Sequence, residues 1–160
     1  MTEPAIRKAN ICDKAAVLSL YDAVKGAEFC TWNEYYPTEL EFDTDLAADC
    51  LLVLEQDGKI IGAASAVTQN ELDEAALWKC TDAREIARIA IAPEMQGRGL
   101  SKMLVAKLLA ELAKNGARAV HLSVAKKNIP AQSCYKSLGF ETVGECEMYG
   151  NSYFLCEKEL

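Results

Sequence analysis

The stretch IAPEMQGRGLSK, Ile91–Lys102, decides how the rest of the chain is read. Upstream of it, residues 83–92 are rich in isoleucine and alanine and read as a strand that Pro93 brings to a close. Downstream, residues 98–115 read as a helix, with Leu100, Met103, Leu104, Leu108 and Leu112 on one stripe and Gly116 as its stop. Gly97 and Gly99 flank Arg98 at the start of that helix. Glycine weakens a helix by about 1 kcal/mol relative to alanine, so two of them there need a reason. Either they form a bare turn, or the backbone must come close to a ligand. A strand, a glycine turn and a helix N-terminus together make a cradle for an anion, because free N–H groups and the helix dipole converge there. Two phosphate patterns fail on the letters. Gly97–Lys102 does not fit GxxxxGK[ST], and GxGxxG needs a third glycine where Lys102 stands.

Working outward, residues 4–9 read as a short strand and 12–25 as a helix carrying Val17, Leu20, Tyr21 and Val24, closed by Gly26. An aromatic, acidic loop follows, then a helix over 38–49. CLLVLEQDGKIIGAASAV reads as a hairpin around Asp57-Gly58. Residues 68–82 are polar and read as a loop. Beyond the central helix, RAVHLSV is a strand and 129–138 a short helix with Pro130 in its first turn. The chain closes with a hairpin around Gly150-Asn151. The order β-α-α-β-β-β-α-β-α-β-β makes an α/β (α+β) fold on a mixed sheet, expected as one domain over residues 1–160.

Composition narrows the function classes. A formal net charge of -7 argues against sequence-independent nucleic-acid binding, which needs a basic footprint, and suits a cationic partner such as an amine. MTEPAIRKAN lacks the apolar core of a signal peptide, and no run approaches the roughly 20 apolar residues of a membrane span. The seven cysteines are odd in number, form no CxxC and sit mostly among apolar residues. They read as buried thiols of a cytoplasmic protein. His121 is the only histidine, so no metal site is expected.

The last decisive stretch is NIPAQSCYKSLGF, Asn128–Phe140. Gln96-Gly97-Arg98-Gly99-Leu100-Ser101 follows the pyrophosphate-loop pattern Q-x-x-G-x-[GA] except at Ser101, and it pairs with N-x-P-A-x-x-x-Y-x-x-x-G-F some thirty residues on. Together these resemble the GNAT superfamily of N-acetyltransferases, in element order over almost the whole chain and most specifically over residues 85–140. The resemblance implies a sheet of about seven strands and about four helices, splayed between its fourth and fifth strands. It implies acetyl-CoA as cosubstrate and no metal. The pantetheine arm would lie along the backbone of Ile89, Ala90 and Ile91 like an added strand. The N–H groups from Gly97 to Lys102 would hold the pyrophosphate, with Arg98 and Lys102 supplying charge. Asn128 would bond the cofactor arm, although a helix N-cap is an equal reading of its local sequence.

Tyr135 matches the family's general acid, a role suited to a phenol whose pKa near ~10 keeps it protonated beside a departing thiolate. Glu85 matches the catalytic glutamate of the histone-type members; a salt-bridged carboxylate at a strand start is the plainer alternative, with water as the base. Members that acetylate ribosomal-protein N-termini carry a Glu five residues before the Asn, where this chain has Ser123. Strand alternation places Glu85, Ala87, Ile89 and Ile91 on one face unless a bulge changes the phase. Trp32, Glu34, Tyr35 and Tyr36 form an aromatic, acidic cluster fit to hold a cation, or to staple the loop to the core. His121 reads as a half-buried strand residue, and Lys126 and Lys127 as solvated. The expected activity is transfer of acetyl from acetyl-CoA to a primary amine of a small molecule or peptide. A non-catalytic acyl-CoA-binding module is the alternative. The expected partners include no nucleic acid and no membrane, and the family allows a homodimer.

Overall fold

The computed structural model describes residues 2–67 and 71–160; Met1 and residues 68–70, which open the expected loop, lie outside the described residues. Among the described residues, seven strands and four α-helices follow one another as β1 (Ala5–Lys8), α1 (Lys14–Val24), α2 (Glu39–Ala47), β2 (Leu51–Gln56), β3 (Lys59–Val67), β4 (Arg84–Ile91), α3 (Leu100–Lys114), β5 (Ala119–Ala125), α4 (Ile129–Ser137), β6 (Glu141–Met148) and β7 (Asn151–Glu159).

 The last of these, Asn151–Glu159, is inserted between β5 and β6, so the sheet order is β1-β2-β3-β4-β5-β7-β6. All neighbours are antiparallel except β4 and β5, which run parallel across the crossover through α3.

Local sequence explains most boundaries. The helix expected from residue 12 begins at Lys14, because Ile11–Asp13 form a 3-10 turn capped by Asn10, whose own N–H is held by Asp13 at 2.8 Å. Thr38 and Glu41 close a capping box at the start of α2. On α3 the buried stripe is Leu100, Leu104, Val105, Leu108, Leu109 and Leu112. Met103, expected on that stripe, is 38% exposed. α1 packs on β3, β4 and α2, and α3 on β2, β3, β4 and α4. The two helix layers thus cover opposite faces, which is why β3 is buried continuously from Ile61 to Val67. Truncating a side chain at the centre of this packing, such as Leu104, costs about 2–5 kcal/mol.

Two irregularities of β4 position the site. First, its parallel ladder with β5 holds only Arg84↔Val120 and Glu85↔His121. Beyond Glu85 the strands part, and among the described residues the β5-facing edge of Ile86–Ile91 has no ladder partner. Second, the register with β3 shifts between Ser65↔Ala87 and Ala63↔Ala90. Arg88 and Ile89 therefore bulge opposite Ala64, with Arg88 at φ 52°. Simple alternation over residues 85–91 is corrected accordingly, since the extra residue reverses the phase. The cysteines also differ from expectation. All seven are free thiols, but only Cys156 is buried, Cys12 is exposed and the others lie between.

Candidate functional site

The glycine turn is set by backbone geometry. Gly97 and Gly99 have φ of 77° and 76°, a region that residues with a Cβ avoid, and a Cβ at either would meet nothing within 4 Å. Gln96 Nε2 donates to the Ile91 carbonyl at 3.0 Å and pins the turn to the end of β4. The helix bonds begin with Met103 N–H to Gly99 O at 3.1 Å. The N–H groups of Leu100, Ser101 and Lys102 thus have no acceptor within α3. Arg98 and Lys102 are exposed beside them. Ser101 is half-buried, and its Oγ accepts from the Cys134 thiol at 3.9 Å. That contact brings the glycine turn to α4, one residue from Tyr135. Burial pushes the Cys134 thiol up, with Ser101 opposing.

Asn128 caps α4, its Oδ1 accepting from Ala131 N–H at 3.2 Å. Tyr135 is 8% exposed and packs edge-on against Phe140, with ring centroids 5.8 Å apart. It also lines a pocket of about 480 Å³ with Val124, Gln132, Phe140, Phe154 and Cys156. Burial pushes its phenol well above the ordinary value, so the group stays protonated.

Glu85 lies at the apex of the splay and is 8% exposed. Its Oε2 accepts from Leu72 N–H at 3.4 Å. Burial raises its carboxyl to about 7; the Leu72 N–H opposes the rise, and Glu71 and Asp73 add to it. The segment above it is anchored by groups that sequence reading passed over. Trp78 stacks on His121 with ring centroids 3.7 Å apart and donates to Leu72 O at 2.7 Å. Glu157 accepts from Lys79 and Cys80 N–H, each at 3.1 Å, and lies 2.7 Å from His121 Nε2. Burial opposes ionisation of Glu157, but these donors outweigh it and hold the carboxyl below its usual range. His121 is therefore fully buried at 3% exposure rather than half-buried, and it is paired.

The candidate acceptor loop divides. Trp32 is half-buried, edge-on to Tyr21 and Tyr36, whereas Glu34 and Tyr35 are exposed. Tyr36 OH accepts from Arg88 at 3.0 Å, which ties this loop to the bulge of β4. Arg88 pairs in turn with buried Asp45. Sequence reading missed this pair, although Asp45 stands three residues after Phe42, on the buried stripe of α2. Lys126 pairs with Glu145 at 3.0 Å, while Lys127 is exposed. Among the described residues no group of three or more His, Cys, Asp or Glu is placed to hold a metal, and no helix is long and apolar enough to cross a membrane.

A model of the acetyltransferase (GNAT) family matches residues 17–140. A ribosomal protein bS18-alanine N-acetyltransferase of Escherichia coli K12 is 40% identical over 87 residues, 54% of this chain and 51% of that protein. The chain spans about half the length of the curated relatives it matches. The solved N-acetyltransferase of Staphylococcus aureus Mu50 superposes with a TM-score of 0.78 at 19% identity, over 99% of both chains. A phosphinothricin acetyltransferase of Sinorhizobium meliloti, solved with acetyl-CoA, gives 0.78 at 22% identity, over 98% of this chain and 88% of that one. At such identities the two structures establish a shared fold.

Proposed function

The chain belongs to the acetyltransferase (GNAT) family, and from that membership we propose that it transfers an acetyl group from acetyl-CoA to a primary amine by direct attack. The observation that carries this reading is the edge of β4 after Glu85, which has no ladder partner among the described residues, together with the N–H groups at the start of α3 that have no acceptor within that helix. Buried backbone groups need partners, and an extended pantetheine arm supplies them along Ile89–Ile91. The N–H groups from Gly97 to Lys102 receive the pyrophosphate, with Arg98 and Lys102 as counter-charges. Asn128 keeps its amide nitrogen for the arm while its oxygen caps α4.

In the transfer, Glu85 takes the proton of the incoming ammonium, directly or through a water. The neutral nitrogen then attacks the thioester carbon. The developing oxyanion is met by N–H groups of β4. The C–N bond forms, the C–S bond breaks, and Tyr135 gives its proton to the departing sulfur; the second proton, shed by the nitrogen as it becomes an amide, returns through water to the phenolate, and Glu85 releases the first to solvent. The carboxyl raised to about 7 is suited to taking a proton near neutral pH, and the buried phenol remains protonated there.

The acceptor is an amine of a small molecule or a peptide. The relatives named for a ribosomal protein's alanine make a peptide N-terminus one candidate. Ser123, half-buried on β5, carries no carboxylate for that chemistry, which leaves the base role to Glu85. Seven free thiols favour the reducing cytoplasm as its location. The test is thiol release from acetyl-CoA over a panel of small amines and peptide N-termini. We expect turnover on at least one acceptor, and Tyr135→Phe to lower kcat by at least roughly tenfold while acetyl-CoA affinity stays within about threefold. Tight acetyl-CoA binding without turnover on any amine would instead mark a non-catalytic acyl-CoA-binding module.

A further inference from the structure

Arg88 stands in mid-strand at φ 52°, in the left-handed region. A bulky side chain there is strained and persists only where its surroundings over-determine it. Those surroundings come from three elements. Arg88 Nε donates to Asp45 Oδ2 at 2.8 Å, a second guanidinium nitrogen donates to Asp45 Oδ1, and the third donates to Tyr36 OH at 3.0 Å. Asp45, on α2, is 1% exposed, and Ser65 Oγ of β3 donates to its Oδ2 at 2.7 Å. Ser65 itself pairs with Ala87, the residue before the bulge.

The bulge matters because N–H groups along a strand point alternately to its two edges. One extra residue reverses that alternation for everything beyond it. The conformation of Arg88 therefore decides which N–H groups of Ile89–Ile91 face the splay. We propose that Asp45 is a positioning residue for acetyl transfer: through Arg88 it holds the left-handed bulge of β4 and so fixes which backbone N–H groups meet the thioester. This rests on reading β4 as the pantetheine strand. Asp45 itself touches neither substrate, and its carboxylate is spent on Arg88 and Ser65.

Glycine adopts positive φ without help, whereas valine resists it, and this separates holding the bulge from any direct use of the guanidinium. Asp45→Asn should lower kcat by roughly tenfold, with the acetyl-CoA dissociation constant changed by less than about threefold, because the glycine turn is untouched. Adding Arg88→Gly to that variant should raise kcat again by at least about fivefold, whereas adding Arg88→Val should not. Both double variants lack the ion pair equally, so a role confined to stability would leave their kcat values, taken per folded molecule from thermal melts, the same. Equal kcat for the glycine and valine variants overturns the proposal, and so does an Asp45→Asn protein with unchanged kcat. A wild-type protein that binds acetyl-CoA and turns over no amine removes the parent reading instead, and the positioning role with it.

Discussion

Glu85 is a carboxyl kept from water, with a long hydrogen bond from Leu72 N–H and two acidic neighbours on the same covering segment. Its folded pKa of about 7 lies above the ordinary carboxylate value. Between the two values the folded state keeps a proton that the unfolded chain has released. Stability therefore falls as pH rises through that window and levels off above it, a loss on the order of 3 kcal/mol. Glu157 and Asp13, both shifted downward, push the opposite way, so the useful quantity is the difference from a variant. Chemical denaturation of Glu85→Gln between pH 4.5 and 7.5 should show that falling component gone. In the rate profile, the limb that rises through pH ~7 in the wild-type protein should be replaced by one at higher pH. Unaltered profiles in both experiments would assign the base to another group. The family resemblance picked out Glu85, four residues before Ile89 on the same strand. Its shift was not legible, because it depends on Leu72 and Trp78 folding over the apex, and no local pattern encodes that.

At the scale of elements, the turn between β4 and α3 is where sequence and structure agree most closely. Glycine at φ 77° and 76° is a local requirement, and local requirements are written in local sequence. The same geometry sharpens the choice between a bare turn and a cradle. In Gly99→Val the strain, about 1–3 kcal/mol, lowers the melting temperature in either case, by roughly 2–4 °C per kcal/mol for a chain of this size. A cradle also loses its ligand, so the acetyl-CoA dissociation constant should rise by at least about tenfold. A lower melting temperature with unchanged affinity for the folded protein would mean that the turn only connects. The bulge of β4 was open rather than settled in the sequence, since Arg88 in an apolar strand reads equally as a solvent-facing residue. Its partners, Asp45, Ser65 and Tyr36, come from three other segments.

For the molecule as a whole, the order of strands and helices could be read along the chain, because periodicity and turn residues mark each element separately. The insertion of β7 between β5 and β6 could not, since sheet order is a long-range outcome. The four residues proposed for the acceptor part company: Trp32 packs edge-on to Tyr36, which accepts from Arg88, while Glu34 and Tyr35 face solvent. What unites these scales is a sheet that opens on one edge of one strand, next to a helix N-terminus whose N–H groups are unclaimed among the described residues. Amide hydrogen exchange with and without acetyl-CoA tests that claim most directly. Binding should slow exchange by at least roughly tenfold in Ile89–Ile91 and in Gly97–Lys102 together, as those N–H groups acquire partners, while the distant β1–β2 pair stays unchanged. Saturating acetyl-CoA that leaves both segments unprotected, or that protects only residues outside the splay, would contradict the account.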